Sequence, residues 1–334
     1  MTEVHTQETM TAPATPARPR TGQGQAPAWL HGWAVLTLAA ALPLLLLGAE
    51  VTTKKVGMVD PQGFRPPWHM LTVTLQERGL GYVVEHSHRL AGFVVGSCII
   101  VLAVGLWLRE PRRWVRWLGV GALAAVCVQG LLGGFRVQLN ALVGPQLALI
   151  HGCFAAVVFS LLALLVAVTA RGWTDGEATQ LPASLRRGAV AVAALLYLQL
   201  VLGALVRHAN NLWAPRLHLL CAFAVTAGIA WLANRGLSSP RRDPLLVRTV
   251  KLLLVLMVLQ LPLGLESWLA RFPVLEHAPV RPLSIDAAWF RSLHYLVGVL
   301  LFATSAVAGL QANRCVRWTA DLEAAPAGRL EGAA

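Results

Sequence analysis

The chain has 334 residues, 56% of them hydrophobic and only 13% charged, with a mean hydropathy of +0.59. A soluble domain carries roughly a quarter charged residues, so a soluble globular fold is excluded. The net charge of +12 would suit a nucleic-acid surface. Its placement, described below, encodes membrane topology instead, and no nucleic-acid partner is expected.

Residues 1–28, rich in Ala, Pro, Thr and Gln, read as a disordered tail. Eight apolar runs follow, at 31–49, 82–108, 115–135, 146–170, 187–206, 214–234, 247–266 and 287–312. Each is close to the roughly 20 residues that a helix needs to cross a hydrocarbon core about 30 Å thick. The first run is long enough to span and is read as a retained anchor, not a cleaved signal. Arg109, Arg112, Arg113 and Arg116 follow the second run. Arg171, Arg186 and Arg187 follow the fourth, and Arg235, Arg241, Arg242, Arg248 and Lys251 the sixth. The short loops after the third and fifth runs hold only Arg136, and Arg207 with Arg216. Lys54, Lys55, Arg65 and Arg78 lie in the first loop, whose length lowers their weight. This asymmetry is the positive-inside signature and predicts that both termini are cytoplasmic. Four cysteines (Cys98, Cys127, Cys153, Cys221) fall inside apolar runs and Cys315 follows the last, so no structural disulfide is expected.

The chain also repeats itself. Gln129 precedes Gly133, Gln199 precedes Gly203 and Gln260 precedes Gly264, each by four residues in an outward-running segment. Leu-Gly-Ala closes the first run at 47–49 and recurs at 202–204 in the fifth. His88 and His218 are 130 residues apart. The expected fold is therefore all-α and integral to the membrane, with eight transmembrane helices as two tandem four-helix bundles in parallel repeat. The expected boundaries are 29–170, a cytoplasmic linker at 171–186, 187–312, and a cytoplasmic tail at 313–334. The glycines serve either helix packing or close approach of a planar ligand.

Of ten histidines, His5, His31, His69, His86, His208 and His277 are set aside by position. His88, His151, His218 and His294 each open an even-numbered helix and so share one depth near the outer leaflet. A histidine inside a membrane is costly enough to presume function, and neutral imidazole is an axial ligand of heme iron. One such histidine could be a hydrogen bond between helices; four at matched depth in a duplicated fold point to two hemes. The repeat pairs His88 with His151 and His218 with His294. Glu85 stands one turn before His88, where a carboxylate can handle protons. It also stands four before Arg89, where it can simply form an ion pair. The second half reads Ala214-Pro215-Arg216-Leu217-His218, with no such acid. Glu266, near the outer end of the seventh helix, has either a proton-handling role or a partner in Arg271 or Arg207.

Glu-His-Ser-His-Arg-Leu-Ala-Gly at 85–92 resembles the second-helix signature of the heme A synthases, membrane enzymes that convert heme O to heme A. Gln129-Gly-Leu-Leu-Gly-Gly-Phe-Arg136, Leu-Ile-His-Gly at 149–152 and Leu202-Gly-Ala-Leu-Val-Arg-His208 resemble their third, fourth and fifth helices. The resemblance implies oxidation of a methyl group of heme O to a formyl group by successive hydroxylation. It makes His88 and His151 the axial ligands of the substrate heme, with Glu85 catalytic beside it. It makes His218 and His294 the ligands of a resident heme b that relays electrons. Arg89, Arg136 and Arg207 are candidate propionate contacts by charge and depth. The expected partners are heme O, membrane lipid, an electron donor and a heme O synthase, in the cell membrane. The loop at 57–69 departs from the family, lacking both the Pro-Asp-Trp-Pro stretch and the cysteine pair of some relatives; Asp60 or Trp68 are the candidates to stand in. Two other readings remain open: a diheme b-type electron-transfer protein without heme-modifying activity, and a heme transporter or chaperone.

Overall fold

The computed structural model describes residues 26–72, 75–174, 179–209, 211–238, 243–272 and 284–314. The expectations for the two tails, Cys315, His5 and His277 fall outside them. All regular structure among the described residues is helical. The eight long helices are α1 (Ala28–Thr53), α2 (Leu75–Arg109), α3 (Arg113–Gln138), α4 (Gln146–Thr169), α5 (Ala183–His208), α6 (Trp213–Ser238), α7 (Pro244–Leu269) and α8 (Ile285–Ala312). A 3₁₀ turn at Pro67–Thr72 and single helical turns at Asn140–Val143 and Arg171–Thr174 decorate the connections.

All eight are long and apolar enough to cross a membrane, and the chain is a multi-pass membrane protein. A 26-residue helix such as α3 is about 39 Å long at 1.5 Å per residue, more than the hydrocarbon thickness. That surplus is why the helices overrun the apolar stretches: α1 continues through Glu50 to Thr53 and α2 begins before the second run. Within α2 the chain breaks at Gly79 (φ 73°), a backbone conformation that side chains resist, and the spanning part starts there. Asp243 caps α7 by accepting from the amides of Leu245 and Leu246, with Pro244 in the first helical position.

Helices α1 to α4 pack in a closed ring, α1 on α2, α2 on α3, α3 on α4 and α4 back on α1. Helices α5 to α8 form the same ring, and α1 and α4 lean on α8 and α5 between them. Two apolar clusters hold this arrangement. Leu30, Ile99, Leu106, Val115 and Leu165 anchor one, and Leu185, Ile229, Leu232, Leu246 and Leu253 the other. These residues come from the first turns of the odd helices and the last turns of the even ones, so both cores sit toward the same end. At that end Glu110 is fully buried and takes a two-pronged pair from Arg112 at 2.7 and 2.9 Å. The opposite end is left for the polar residues that carry function.

Candidate heme-binding site

The N-terminal halves of the even helices bring the four histidines into two pairs. His88 on α2 faces His151 on α4, with ring centroids 6.4 Å apart and planes at 85°. His218 on α6 faces His294 on α8 at 6.2 Å and 81°. Each imidazole lies on a glycine of the preceding odd helix. A Cβ at Gly48 would stand 2.9 Å from Cε1 of His88, at Gly133 3.2 Å from His151, at Gly203 3.1 Å from His218, and at Gly264 2.9 Å from His294. The repeated Leu-Gly-Ala thus has a reason: only a glycine surface lets the ring lie so close to the helix.

The glutamines one turn before three of these glycines also contact the histidines. Gln129 Nε2 donates to the backbone carbonyl of His151 at 3.1 Å, and Gln199 Nε2 to that of His218 at 3.0 Å. In α1 the equivalent position is Leu44, and its carbonyl lies 3.2 Å from His88 Nδ1. In His151, His218 and His294 the Nδ1 atom is buried without a hydrogen-bond partner. Two metal–imidazole bonds of about 2 Å, plus the distance from each ring centre to its nitrogen, put axial imidazoles about 6 Å apart. The spacing and the bare glycine surfaces fit a heme between each pair.

Glu85 is buried, and both its oxygens are engaged. Oε1 meets Arg89 Nη2 at 2.7 Å, so the ion pair expected from the four-residue spacing forms. Oε2 accepts the backbone N–H of Asp60 at 2.9 Å. Arg89 also donates to the carbonyls of Gln62 (2.6 Å) and Asp60 (3.2 Å), so the loop after α1 is drawn onto α2. The buried Asp60 carboxylate is the centre of this knot. Its Oδ2 faces His86 Nε2 and Arg65 Nε, both at 3.0 Å, and its Oδ1 accepts the Gln62 amide at 3.0 Å. Burial pushes the Asp60 carboxyl up, but the Gln62 amide and the guanidiniums of Arg65 and Arg89, with His86, outweigh it and hold the pKa below the ordinary value. Tyr82 stacks on His86 at 3.9 Å between centroids, and its hydroxyl lies 2.8 Å from His69 Nδ1. Arg65 Nη1 donates to the other nitrogen of His69 at 2.9 Å. Sequence reasoning set aside His69 and His86 and left Asp60 as one of two stand-ins. The one signal for His86 was its place a turn after Tyr82; nothing local pointed to Asp60.

Of the three candidate propionate arginines, Arg89 is committed to Glu85 and the loop. Arg136 lies against Gly57, where a Cβ would collide with its guanidinium. Arg207 reaches from α5 to the end of α1, donating to the Ala49 carbonyl at 2.8 Å and to the Thr53 hydroxyl, and sits 5.9 Å over the Tyr295 ring. Tyr295, next to His294, donates from its hydroxyl to the carbonyl of Gly152, next to His151, at 3.1 Å. The two pairs are therefore joined by one side chain across the interface. Glu266 faces outward, lining a groove of about 470 Å³ with Leu259, Pro262, Leu263, Phe290, Leu293 and Val297. Among the described residues no ion pair joins it to Arg271 or Arg207.

Residues 64–216 match the COX15-CtaA family model, described as a cytochrome oxidase assembly protein. This match takes in less than half of the chain. The match covers Glu85, the first histidine pair, Gln129, Gln199 and Arg207, and stops two residues short of His218. Among curated relatives, the heme A synthase of Alkalihalophilus pseudofirmus is 28% identical over 202 residues, 59% of this chain and 66% of that protein. That of Lysinibacillus sphaericus is 30% identical over 189 residues, 55% and 59% of the two chains. That of Halalkalibacterium halodurans is 25% identical over 201 residues, 54% and 64%. The matched stretch spans less than two thirds of the length of each of these relatives.

Proposed function

We propose that the chain is a heme A synthase, oxidising a methyl group of heme O to a formyl group by successive hydroxylation. The observation that carries this is the buried Glu85, one turn from His88, within the stretch that matches the family model. On this reading the half at 29–170 holds the substrate heme O between His88 and His151. The half at 187–312 holds heme b between His218 and His294. Bound heme b supplies one-electron redox chemistry; the protein supplies the ligands, the orientation and the control of protons. The glycine surfaces fix how closely each ring stands to its helix, and the glutamines fix the backbone from which two of the rings project. Glu85 presents a carboxylate whose two oxygens are held by Arg89 and by the loop, so any proton it takes or gives is exchanged at a fixed place. The arginine-rich loops after α2, α4 and α6 support cytoplasmic termini, with the histidine end facing outward. Heme O, the product of a heme O synthase, reaches the site from the membrane, and the electrons come from a separate donor.

The test is to produce the full chain in membranes supplied with heme O, purify it, extract the hemes and identify them by mass. Heme A or its hydroxylated precursor beside heme B is the expected result, and Glu85→Ala should keep the heme content while losing heme A. Two hemes B per chain and no modified heme would replace this reading with that of an electron conduit. A chain without heme would remove both.

A further inference from the structure

The loop between α1 and the 3₁₀ turn is seated at two places. On α3, the Phe64 ring lies on Gly134, where a Cβ would collide with it, and meets Phe135 edge-on at 5.3 Å. On α2, Val56 and Val59 lie against Gly81, and the polar fastening is the knot around Asp60. Residues 54–74 contain no cysteine, so no covalent clamp is available. The groups around the Asp60 carboxylate are all donors: the Gln62 amide on one oxygen, His86 Nε2 and Arg65 Nε on the other, and Arg89 Nη1 at 4.0 Å. The backbone N–H of the same residue is what holds Glu85 Oε2. One residue therefore fastens the loop through its side chain and fixes the acid through its main chain.

We propose that Asp60 is the positioning residue of the first-half site, and that it acts by holding Glu85 through the closed loop. This rests on the reading of Glu85 as the working acid. Were the knot opened, Glu85 would keep Arg89 but lose the contact that fixes its second oxygen, and would be free to turn about its side-chain bonds. Misplacing a reacting group by 1 Å can cost about 100-fold in rate. His86, Tyr82 and His69 belong to the same device: the His86 ring is clamped between Asp60 and Tyr82, and His69 ties Tyr82 back to Arg65.

Asp60→Asn is the discriminating change, because it keeps the size and the backbone. Its NH₂ group must face either the Gln62 N–H or the Arg65 guanidinium beside His86, so at least one contact to a fixed donor is lost. Two measurements read the result. The first is hydrogen–deuterium exchange of the loop peptide at 57–65 in the heme-free protein in nanodiscs. It should be slow in the parent chain and faster by at least about tenfold in Asp60→Asn, while peptides of α3 and α7 stay unchanged. The second is the rate of heme A formation per heme bound at the first pair. It should fall at least about tenfold with first-pair occupancy unchanged.

A loop that exchanges at the parent rate in Asp60→Asn overturns the proposal. So does an activity that falls only in proportion to lost heme, which is what a merely structural role would give. Should the parent chain form no heme A, the function proposed above fails by itself. The exchange experiment then decides for Asp60 alone: a loop released in Asp60→Asn keeps the fastening, and a loop that stays closed refutes it.

Discussion

Replacing Gly264 by alanine should weaken heme binding at the second site and leave the helix bundle at least as stable as before. The added Cβ would stand 2.9 Å from His294 Cε1, whereas carbon atoms rest at about 3.5–4.0 Å. The ring must therefore retreat by at least about 0.6 Å, and metal-ligand distances tolerate only about 0.2 Å. Disturbing the groups that support a metal ligand typically costs about 10–100-fold in affinity, and that is the expected loss for heme b. The fold itself gains, because alanine favours a helix interior over glycine by about 0.5–1 kcal/mol. Titrating heme B into the heme-free protein in detergent, followed by the Soret band and by the thermal midpoint of the apoprotein, separates the two effects. Gly48→Ala should do the same to the first site, again at 2.9 Å, and Gly203→Ala and Gly133→Ala less, at 3.1 and 3.2 Å. Gly130→Ala is the control, since nothing lies within 4 Å of a Cβ there. Full heme binding in Gly264→Ala, or an equal loss in Gly130→Ala, would refute the view that these glycines exist to seat the histidines.

Gln199→Leu should keep the fold, since α1 already carries Leu44 at that register, yet lose about 1 kcal/mol, or several-fold, in heme affinity at the second pair; the same titration measures it. Tyr295→Phe removes the hydroxyl that bonds the Gly152 carbonyl across the two halves; it should lower the unfolding free energy by about 1 kcal/mol with both hemes retained, and an unchanged denaturation curve would show that the bond does not join them. The Asp60 carboxyl has a folded pKa below its ordinary value of 3.8, so its contribution is fully present above that value and is lost as pH falls through the lowered one. Loop closure, followed by exchange of the 57–65 peptide with correction for intrinsic rates, should be flat from neutral pH to about 4 and fail only below it.

The membrane architecture was legible because a 20-residue apolar run has few alternatives in lipid, where every backbone group must be satisfied within its own helix. The positions of His88, His151, His218 and His294 were legible for a related reason: helical periodicity turns a spacing in sequence into a shared depth and face. The Gln–Gly pattern of the third, fifth and seventh runs was visible too, and the structure explains it by contact with the histidines. Gly48 showed only through its Leu-Gly-Ala match, because Leu44 breaks the glutamine pattern. What remained hidden depends on chain closure, not on period. Asp60 meets Glu85 and His86 across a loop of about 25 residues, and no local signal says which loop residue will fold back. Arg89 at four-residue spacing from Glu85 was readable, whereas the Asp60 amide on the other oxygen was not. Tyr295 reaching Gly152 and Arg207 reaching Ala49 are interface contacts between helices far apart in sequence, and composition does not register them.

The divergence between the halves is sharper in the structure than in a search for one missing acid. With His88 set on His218, the α2 residues Tyr82, Glu85, His86 and Arg89 fall on Leu212, Pro215, Arg216 and Leu219. Every α2 member of the Asp60 knot is thus replaced at the equivalent place, while the glycine under the ring is kept in all four helices. Had the knot been needed only to close a four-helix ring or to bury a histidine pair, the second half would need it as well, since it builds the same ring and the same pair. Its second half does both without it. The knot must therefore serve something that only the first pair does, and holding a heme is the role proposed for both pairs. A carboxylate fixed at both oxygens beside one pair, and no counterpart beside the other, is the difference expected between a site where bonds are made and a site that passes electrons.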